Sequence, residues 1–283
     1  MSKFCPVLIT ADPDLARSAE LCGVGRIMVD LERNGKFERQ KFRDTWISKH
    51  ILDDIGPVAG ALQQAELMVR INPLFDGSAA EIDSAIERGA GAIMLPMFRR
   101  LEEIEQIGAM IAGRCRFIPL VETADAFEIL ERVAAHQAVD ETFIGLNDLH
   151  ISLGLDFMFE PLANGMLESA CAALRRVGKP FGFGGIARIG EGDLPAEFIV
   201  REHARLGSTR VNLSRTFARQ SSSDSVLATG NFDVMQREVG KLLDLYDAAL
   251  EAGDEQKAAN TSELRSRIET IVAQIRKRRE SAA

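Results

Sequence analysis

Tryptophan and tyrosine each occur once in 283 residues, and cysteine only four times. So few large aromatics leave no stacking platform for single-stranded nucleic acid. Positive charge is also scarce: the formal net charge is -8, and the one Lys/Arg cluster, "IRKRRE" at 275–280, reads as a solvated helix end. A nucleic-acid partner, which needs a basic face, is not expected. Cys5, Cys22, Cys115 and Cys171 are widely spaced without a C-x-x-C pair. Each sits in an apolar pattern where a free thiol packs as a small hydrophobe, which points to a reducing, cytoplasmic setting. No apolar run reaches the roughly 18 residues of a membrane span, and "MSKFCPVLITADPD" lacks the apolar stretch of an export signal, so neither fate is expected. A metalloprotease H-E-x-x-H, a G-x-S-x-G elbow, a P-loop and a strand-to-helix G-x-G-x-x-G with its ribose acid are missing too, and those chemistries recede.

What is present is ample core material, 46% hydrophobic and 27% charged residues, and a repeating pattern. Eight short runs read as strands: "PVLIT" (6–10), "RIMVDLE" (26–32), "LMVRIN" (67–72), "GAIMLP" (91–96), "RFIPLVE" (116–122), "TFIGLN" (142–147), "PFGFGG" (180–185) and "TRVNLS" (209–214). Most are continuously apolar, as parallel strands buried on both faces must be. Helical spacing separates them, in "DLARSAELCG", "KFRDTWISKHILDDI", "SAAEIDSAIERG", "RLEEIEQIGAMIAG", "ADAFEILERVAAH", "PLANGMLESACAALRRVG" and "LPAEFIVREHARLG", several closing on a glycine that suits a left-handed cap. Strand and helix alternating at about 30 residues per unit predict a (β/α)₈ TIM barrel over 1–230, with a doubly wound open sheet as the alternative topology. After the polar stretch "ARQSSSDSVLATGNFD", two further helices form a C-terminal extension over 231–283, the first serving as the barrel's last helix and the second as an appendage. An amphipathic extra helix is a natural oligomer contact.

A barrel builds its site at the C-terminal ends of its strands. The polar residues there are Asp30 and Glu32, Arg70 and Asn72, Glu122, and Asn147 with Asp148. Taken singly, Glu122 is explained by capping the next helix or pairing with an arginine, and Asp148 by an N-cap. Taken together, two acids closing neighbouring strands repel unless a proton or cation lies between them. Carboxylates plus water suit Mg²⁺ or Mn²⁺. Arg70, embedded in "LMVRIN", needs an anion: a strand-end acid such as Glu32, or a substrate carboxylate or enolate. The glycine-rich "GKPFGFGGIARIGEG" (178–192) fits phosphate binding or a tight turn equally, and Ser214 and Arg215 are as ambiguous. His50, His136 and His203 fall in helical patterns, and His150 reads as a supporting or surface residue near the site.

The motifs "VDLE", "VRIN", "GAGAIMLP", "PLVETADAF", "IGLNDLHISLG" and "GKPFGFGGIA", in this order across about residues 5 to 217, resemble the HpcH/HpaI aldolase and citrate lyase β-subunit family. The resemblance implies a carbon-carbon lyase on a pyruvate-type barrel. Glu122 and Asp148 would hold a divalent metal, Mg²⁺ or Mn²⁺, and Arg70 would contact the 2-oxo group or its enolate. Backbone around Gly145, Leu146 and Asn147 would hold the carboxylate. It further implies a small anionic substrate, a 2-oxo acid or an acyl-CoA, and a homo-oligomer, trimer or hexamer.

Two departures stand out. The aldolase branch carries a proton-transfer His after "DLE", whereas this chain has Arg33, an arginine that implies a further anionic group on the substrate. The acyl-CoA branch continues its fourth strand as "LPK", whereas Met97 follows Pro96 here. The expected activity is a metal-dependent lyase acting next to a 2-oxo acid, with a metal-bound water as base and Glu32 as the second candidate for orienting it. A citryl- or malyl-type acyl-CoA lyase and a phosphoenolpyruvate-using transferase are its rivals. A non-enzymatic sensor or assembly barrel would have no physical reason to keep Arg70, Glu122 and Asp148 clustered.

Overall fold

Strands without a polar face need cover on both sides, and a parallel sheet closed on itself inside a ring of helices supplies it. The computed structural model, which describes residues 4–35, 48–218 and 229–282, has this architecture. Strands β1 (Cys5–Ile9), β2 (Arg26–Asp30), β3 (Glu66–Arg70), β4 (Ala92–Leu95), β5 (Arg116–Val121), β6 (Thr142–Ile144), β7 (Phe181–Ile186) and β8 (Arg210–Leu213) form a closed parallel barrel in chain order. Closure comes from β1 against β8, where Cys5 faces Arg210 and Val7 faces Asn212. The chain is therefore a (β/α)₈ barrel and not an open doubly wound sheet.

Its helices are α1 (Pro13–Leu21), α2 (Ile55–Ala61), α3 (Ser78–Glu87), α4 (Leu101–Ile111), α5 (Ala124–Glu128), α6 (Leu130–Ala135), α7 (Leu146–Ser152), α8 (Glu160–Ala163), α9 (Met166–Val177), α10 (Ala196–Leu206), α11 (Thr229–Glu251) and α12 (Asp254–Ala282). Asp12 caps α1 by accepting from the N–H groups of Asp14 and Leu15. The glycine stops hold at α9 and α10, where Gly178 and Gly207 both take φ 79°. The single helix expected over 124–136 is two, parted at β-branched Ile129. Gly165, at φ 85°, likewise splits the helix expected after Pro161. Of the helix expected over 41–55, residues 41–47 lie outside the described residues; Leu52–Asp54 is a 3₁₀ turn leading into α2. Most of the expected polar connection before α11, residues 219–228, lies outside them as well.

Helix α11 packs between α10 and α1, the place of an eighth barrel helix, and α12 lies over α10 and α8. Met235, Val239, Leu242 and Tyr246 of α11 and Leu264 and Ile268 of α12 are buried in one continuous core with the barrel's outer face. Glu202 of α10, fully buried, accepts from Thr261 and Asn260 of α12 and pairs with Arg205. His203 is stacked on Phe183 at 3.8 Å with Nδ1 on Ser208 Oγ, and burial pushes its pKa down to about 3. It is a packing residue.

Inside the barrel, Val7, Met28, Met68, Ala92, Met94, Ile118, Leu120 and Phe143 fill a separate apolar layer. Below it an ion network closes the N-terminal end: Arg26 reaches Glu141 at 2.6 Å and Glu66 at 2.5 Å, and Arg210 reaches Glu141 at 3.0 Å. Burial opposes ionisation of Glu141, but Arg26 and Arg210 outweigh it and hold the carboxyl below its usual range. Polar chemistry above the apolar layer is thus confined to the strands' C-terminal end.

Candidate active site

There a cavity of about 360 Å³ opens, lined by Asp30, Arg70, Glu122, Gly145, Leu146, Asn147 and Asp148 among others. Strand register explains the first pair. Asp30 and Arg70 end adjacent strands directly opposite each other. Arg70 therefore donates through Nε to Asp30 Oδ1 at 2.8 Å and through Nη2 to Oδ2 at 2.7 Å, a two-pronged pair. Glu32, buried, comes within 3.5 Å of Arg70 Nε. Burial alone would lower the guanidinium's pKa, but Asp30, Glu32 and Glu122 reverse the sign and raise it. Arg70 is a permanent cation, mostly buried, with its charge shared among strand-end acids.

Glu122 follows β5 and is 2% exposed. Its Oε1 accepts from the N–H of Met97 at 3.1 Å, and Met97 itself adopts φ 57°, an uncommon conformation for a side-chain-bearing residue. The capping role belongs instead to Thr123, whose hydroxyl accepts from Ala126 N. Gly145 lets the carboxylate lie close: a Cβ there would stand 2.9 Å from Glu122 Oε2. Burial first, then the negative charges of Glu32 and Asp148, push the Glu122 pKa well up. Asp148 lies in the first turn of α7. Glu122 and Asp148 are thus electrostatically coupled across one cavity, as expected of acids that end neighbouring strands.

Among the described residues no group of three or more His, Cys, Asp or Glu side chains forms a metal cage. Two carboxylates fit a different kind of ion: Mg²⁺ keeps several waters and is held by one or two acids plus the substrate. A cation at that position would compensate the negative charge that Glu32 and Asp148 place around Glu122.

The remaining expected residues divide. Asn72 lies off the cavity; its Oδ1 accepts from the N–H groups of Arg33 and Asn34, and its amide bonds Glu81. Arg33 points outward, its guanidinium donating to the carbonyls of Lys49 and His50, so an arginine facing a substrate anion at the mouth is not what the structure presents. His150 is buried with Nδ1 on Leu146 O. Gly184, Gly185 and Arg215 do line the cavity. Ser214 bonds Thr216, which in turn accepts from Arg188 N. No local pattern marks Ile9, Met158 or Asn212 as wall residues, nor His50, which is in no helix and lines the cavity with Nδ1 accepting from Asp30 N at 3.0 Å. Met158 belongs to a loop that α12 braces, since Arg276 and Arg279 both pair with Asp156.

A closed parallel barrel with acids and one buried arginine converging on a cavity at the strands' C-terminal ends defines an enzyme of the (β/α)₈ class. The family model for HpcH/HpaI aldolase/citrate lyase matches residues 7–183. The chain belongs to this family and is a carbon-carbon lyase of the aldolase/citrate lyase kind. In fold it is similar to an HpcH/HpaI aldolase/citrate lyase family protein from Burkholderia cenocepacia J2315 (18% identity, 74% of this chain and 87% of that one, TM-score 0.59). It is also similar to CitE from Mycobacterium tuberculosis, solved with magnesium and acetate (15% identity, 92% and 96%, TM-score 0.56). The citrate lyase beta subunit from M. tuberculosis, solved with oxaloacetate and magnesium, matches at 16% identity over 83% and 96% with a TM-score of 0.55. No curated protein matches the sequence. Among the described residues no helix is long and apolar enough to cross a membrane.

Proposed function

We propose that the protein makes or breaks a carbon-carbon bond next to a 2-oxo acid through an enolate, with Mg²⁺ or Mn²⁺ held by Glu122 and Asp148. The observation that carries this reading is the coupling of those two carboxylates in the cavity that also receives Arg70. A divalent ion bound there would supply Lewis acidity and compensate the clustered negative charge.

The chain's own residues do the rest. Arg70, locked by Asp30, presents a cation at a fixed position, where a donor is worth most because no reorganisation is needed as charge develops. The N–H groups of Leu146 and Asn147 at the start of α7 have no carbonyl one turn back within that helix and suit a substrate carboxylate, while that of Gly145 is taken by Val121 O at 2.9 Å. Glu32 keeps Arg70 charged and in place. The apolar wall of Ile9, Leu120, Phe143, Leu146 and Met158 limits water around the reacting carbons. The neighbour solved with oxaloacetate, itself a 2-oxo acid, and magnesium supports the substrate class.

The test is proton exchange: pyruvate with Mg²⁺ in D₂O, followed by loss of the methyl proton signal, with EDTA and Asp148→Asn as controls. Metal-dependent loss abolished by both controls is the expected outcome. Exchange that survives EDTA and Asp148→Asn refutes the metal site, and no exchange at all moves the assignment to CoA thioesters.

A further inference from the structure

Most of the cavity's apolar wall is rooted in the barrel itself. Leu120 and Phe143 belong to its inner layer, Ile9 ends β1, and Leu146 begins α7 fully buried. Met158 alone among these wall residues is carried by a loop, between α7 and α8, and it is only partly buried. Its neighbours Phe157 and Phe159 sink into the core, edge to face at 5.4 Å, and Met158 between them reaches the cavity. Gly184, also on the wall, lies beside the same loop: a Cβ there would stand 3.9 Å from the ring of Phe159. The position of this loop therefore sets the width of the cavity on that side.

The loop is tied at two points. Glu160 Oε1 accepts from the N–H groups of Asp156 at 2.7 Å and Phe157 at 2.8 Å, which fixes the backbone. The Asp156 side chain is taken by α12: Oδ2 accepts from Arg276 Nε at 2.6 Å, and Oδ1 accepts from Arg279 Nη1. Arg276 and Arg279 lie one turn apart, where like charges repel unless an anion lies between them. Below them α12 is seated through buried Val272 and through Ile271 and Ile275, which pack on the core. The basic run "IRKRRE", a solvated helix end by its composition, is thus in part the tether of a loop on the cavity wall.

We propose that the C-terminal end of α12 governs which substrates the enzyme accepts: Arg276 and Arg279, acting through Asp156, hold Met158 against the carbon chain of a 2-oxo acid and keep the cavity narrow. The two arginines are positioning residues, and Met158 is the contact they position. The inference rests on the enolate reading above and adds to it a preference for short chains. The arginines are 62% and 63% exposed, and pairs this open contribute little to global stability, so the latch acts on the loop and not on the fold. Exposure also leaves it open to screening by salt.

The test compares proton exchange at C3 of pyruvate, 2-oxobutyrate and 2-oxopentanoate, each with Mg²⁺ in D₂O, for the wild type, Met158→Ala and the Arg276→Ala/Arg279→Ala protein. Met158→Ala should shift the ratio of kcat/KM values toward the longer acids by about 10-fold, the scale of a methylene in an apolar pocket. The double-arginine variant should shift the ratio in the same direction while melting close to the wild type, and Asp156→Asn should match it. Adding the arginine substitutions to Asp156→Asn should change nothing further, since all three act through one contact. Arg276→Lys/Arg279→Lys, which keeps both charges, should retain most of the wild-type ratio. At about 1 M salt the wild type should move toward the double-arginine variant's ratio while that variant stays where it is. A double-arginine variant that keeps the wild-type ratio, or that shifts it only together with a large fall in melting temperature, overturns the proposal while the enolate reading stands. A wild type that exchanges none of the three acids brings down both.

Discussion

Replacing Gly145 with alanine should damage the site through a single carbon atom. An added Cβ would lie 2.9 Å from Glu122 Oε2, 3.0 Å from Glu122 Cβ and 3.1 Å from Leu120 Cδ1. The first distance is too short for any real Cβ contact, and the neighbours have little room: Leu120 is buried in the barrel's inner layer, and the Glu122 carboxylate is tethered to Met97 N. Overpacking of this kind costs about 1–3 kcal/mol. At roughly 2–4 °C per kcal/mol, the melting temperature should fall by some 2–12 °C. The easiest movement is displacement of the Glu122 carboxylate, so Mg²⁺ affinity measured by calorimetry should drop by about 10–100-fold, the range seen when a ligand's supporting contacts are disturbed. Gly185→Ala is the matched control, because its Cβ would meet Asn212 at ordinary distances, 3.5 Å from O and 3.9 Å from Cβ. That variant should stay within about 0.5 kcal/mol of the wild type. A Gly145→Ala protein with unchanged melting temperature and unchanged Mg²⁺ affinity would refute the close seat of Glu122 on Gly145.

The raised pKa of Glu122 has a signed consequence for stability. Because the folded protein favours its neutral form, that stabilisation is complete below the ordinary carboxylate range and is lost as pH rises through the folded-state value. Metal-free protein should therefore lose thermal stability relative to Glu122→Gln as pH rises above the ordinary carboxylate range. Mg²⁺ should restore it in the wild type alone, and parallel melting curves for the two proteins in EDTA would contradict this. At the opposite end, Glu141→Gln takes one charge from the buried Arg26 while Glu66 remains. A loss near the lower end of the range for a broken buried pair, about 3 kcal/mol by chemical denaturation, is expected. Proton exchange per folded molecule should be unaffected; a large fall in it would mean that the basal network communicates with the site.

Much of this arrangement is legible in the chain. Continuous apolar strands demanded a sheet covered on both faces, and Glu122 and Asp148 announced themselves as acids that end apolar runs. Arg70 needed an anion for the same reason, but which acid supplies it depends on register. Asp30, directly across in β2, takes both prongs, and Glu32 stands farther off at 3.5 Å. Register and strand tilt are properties of the closed barrel, so no local pattern encodes them. Backbone conformation was equally hidden: nothing in "LPMF" foretells that Met97 turns left-handed or that its amide donates to Glu122.

The hardest feature to read was His50, because its place depends on a missing partner and not on its own neighbours in sequence. Helical spacing put it in a helix, whereas the early end of β1 leaves an open amide on β2, and the histidine accepts from it. Arg33, in sequence the sign of a lost catalytic group, is in space the residue that holds His50's backbone.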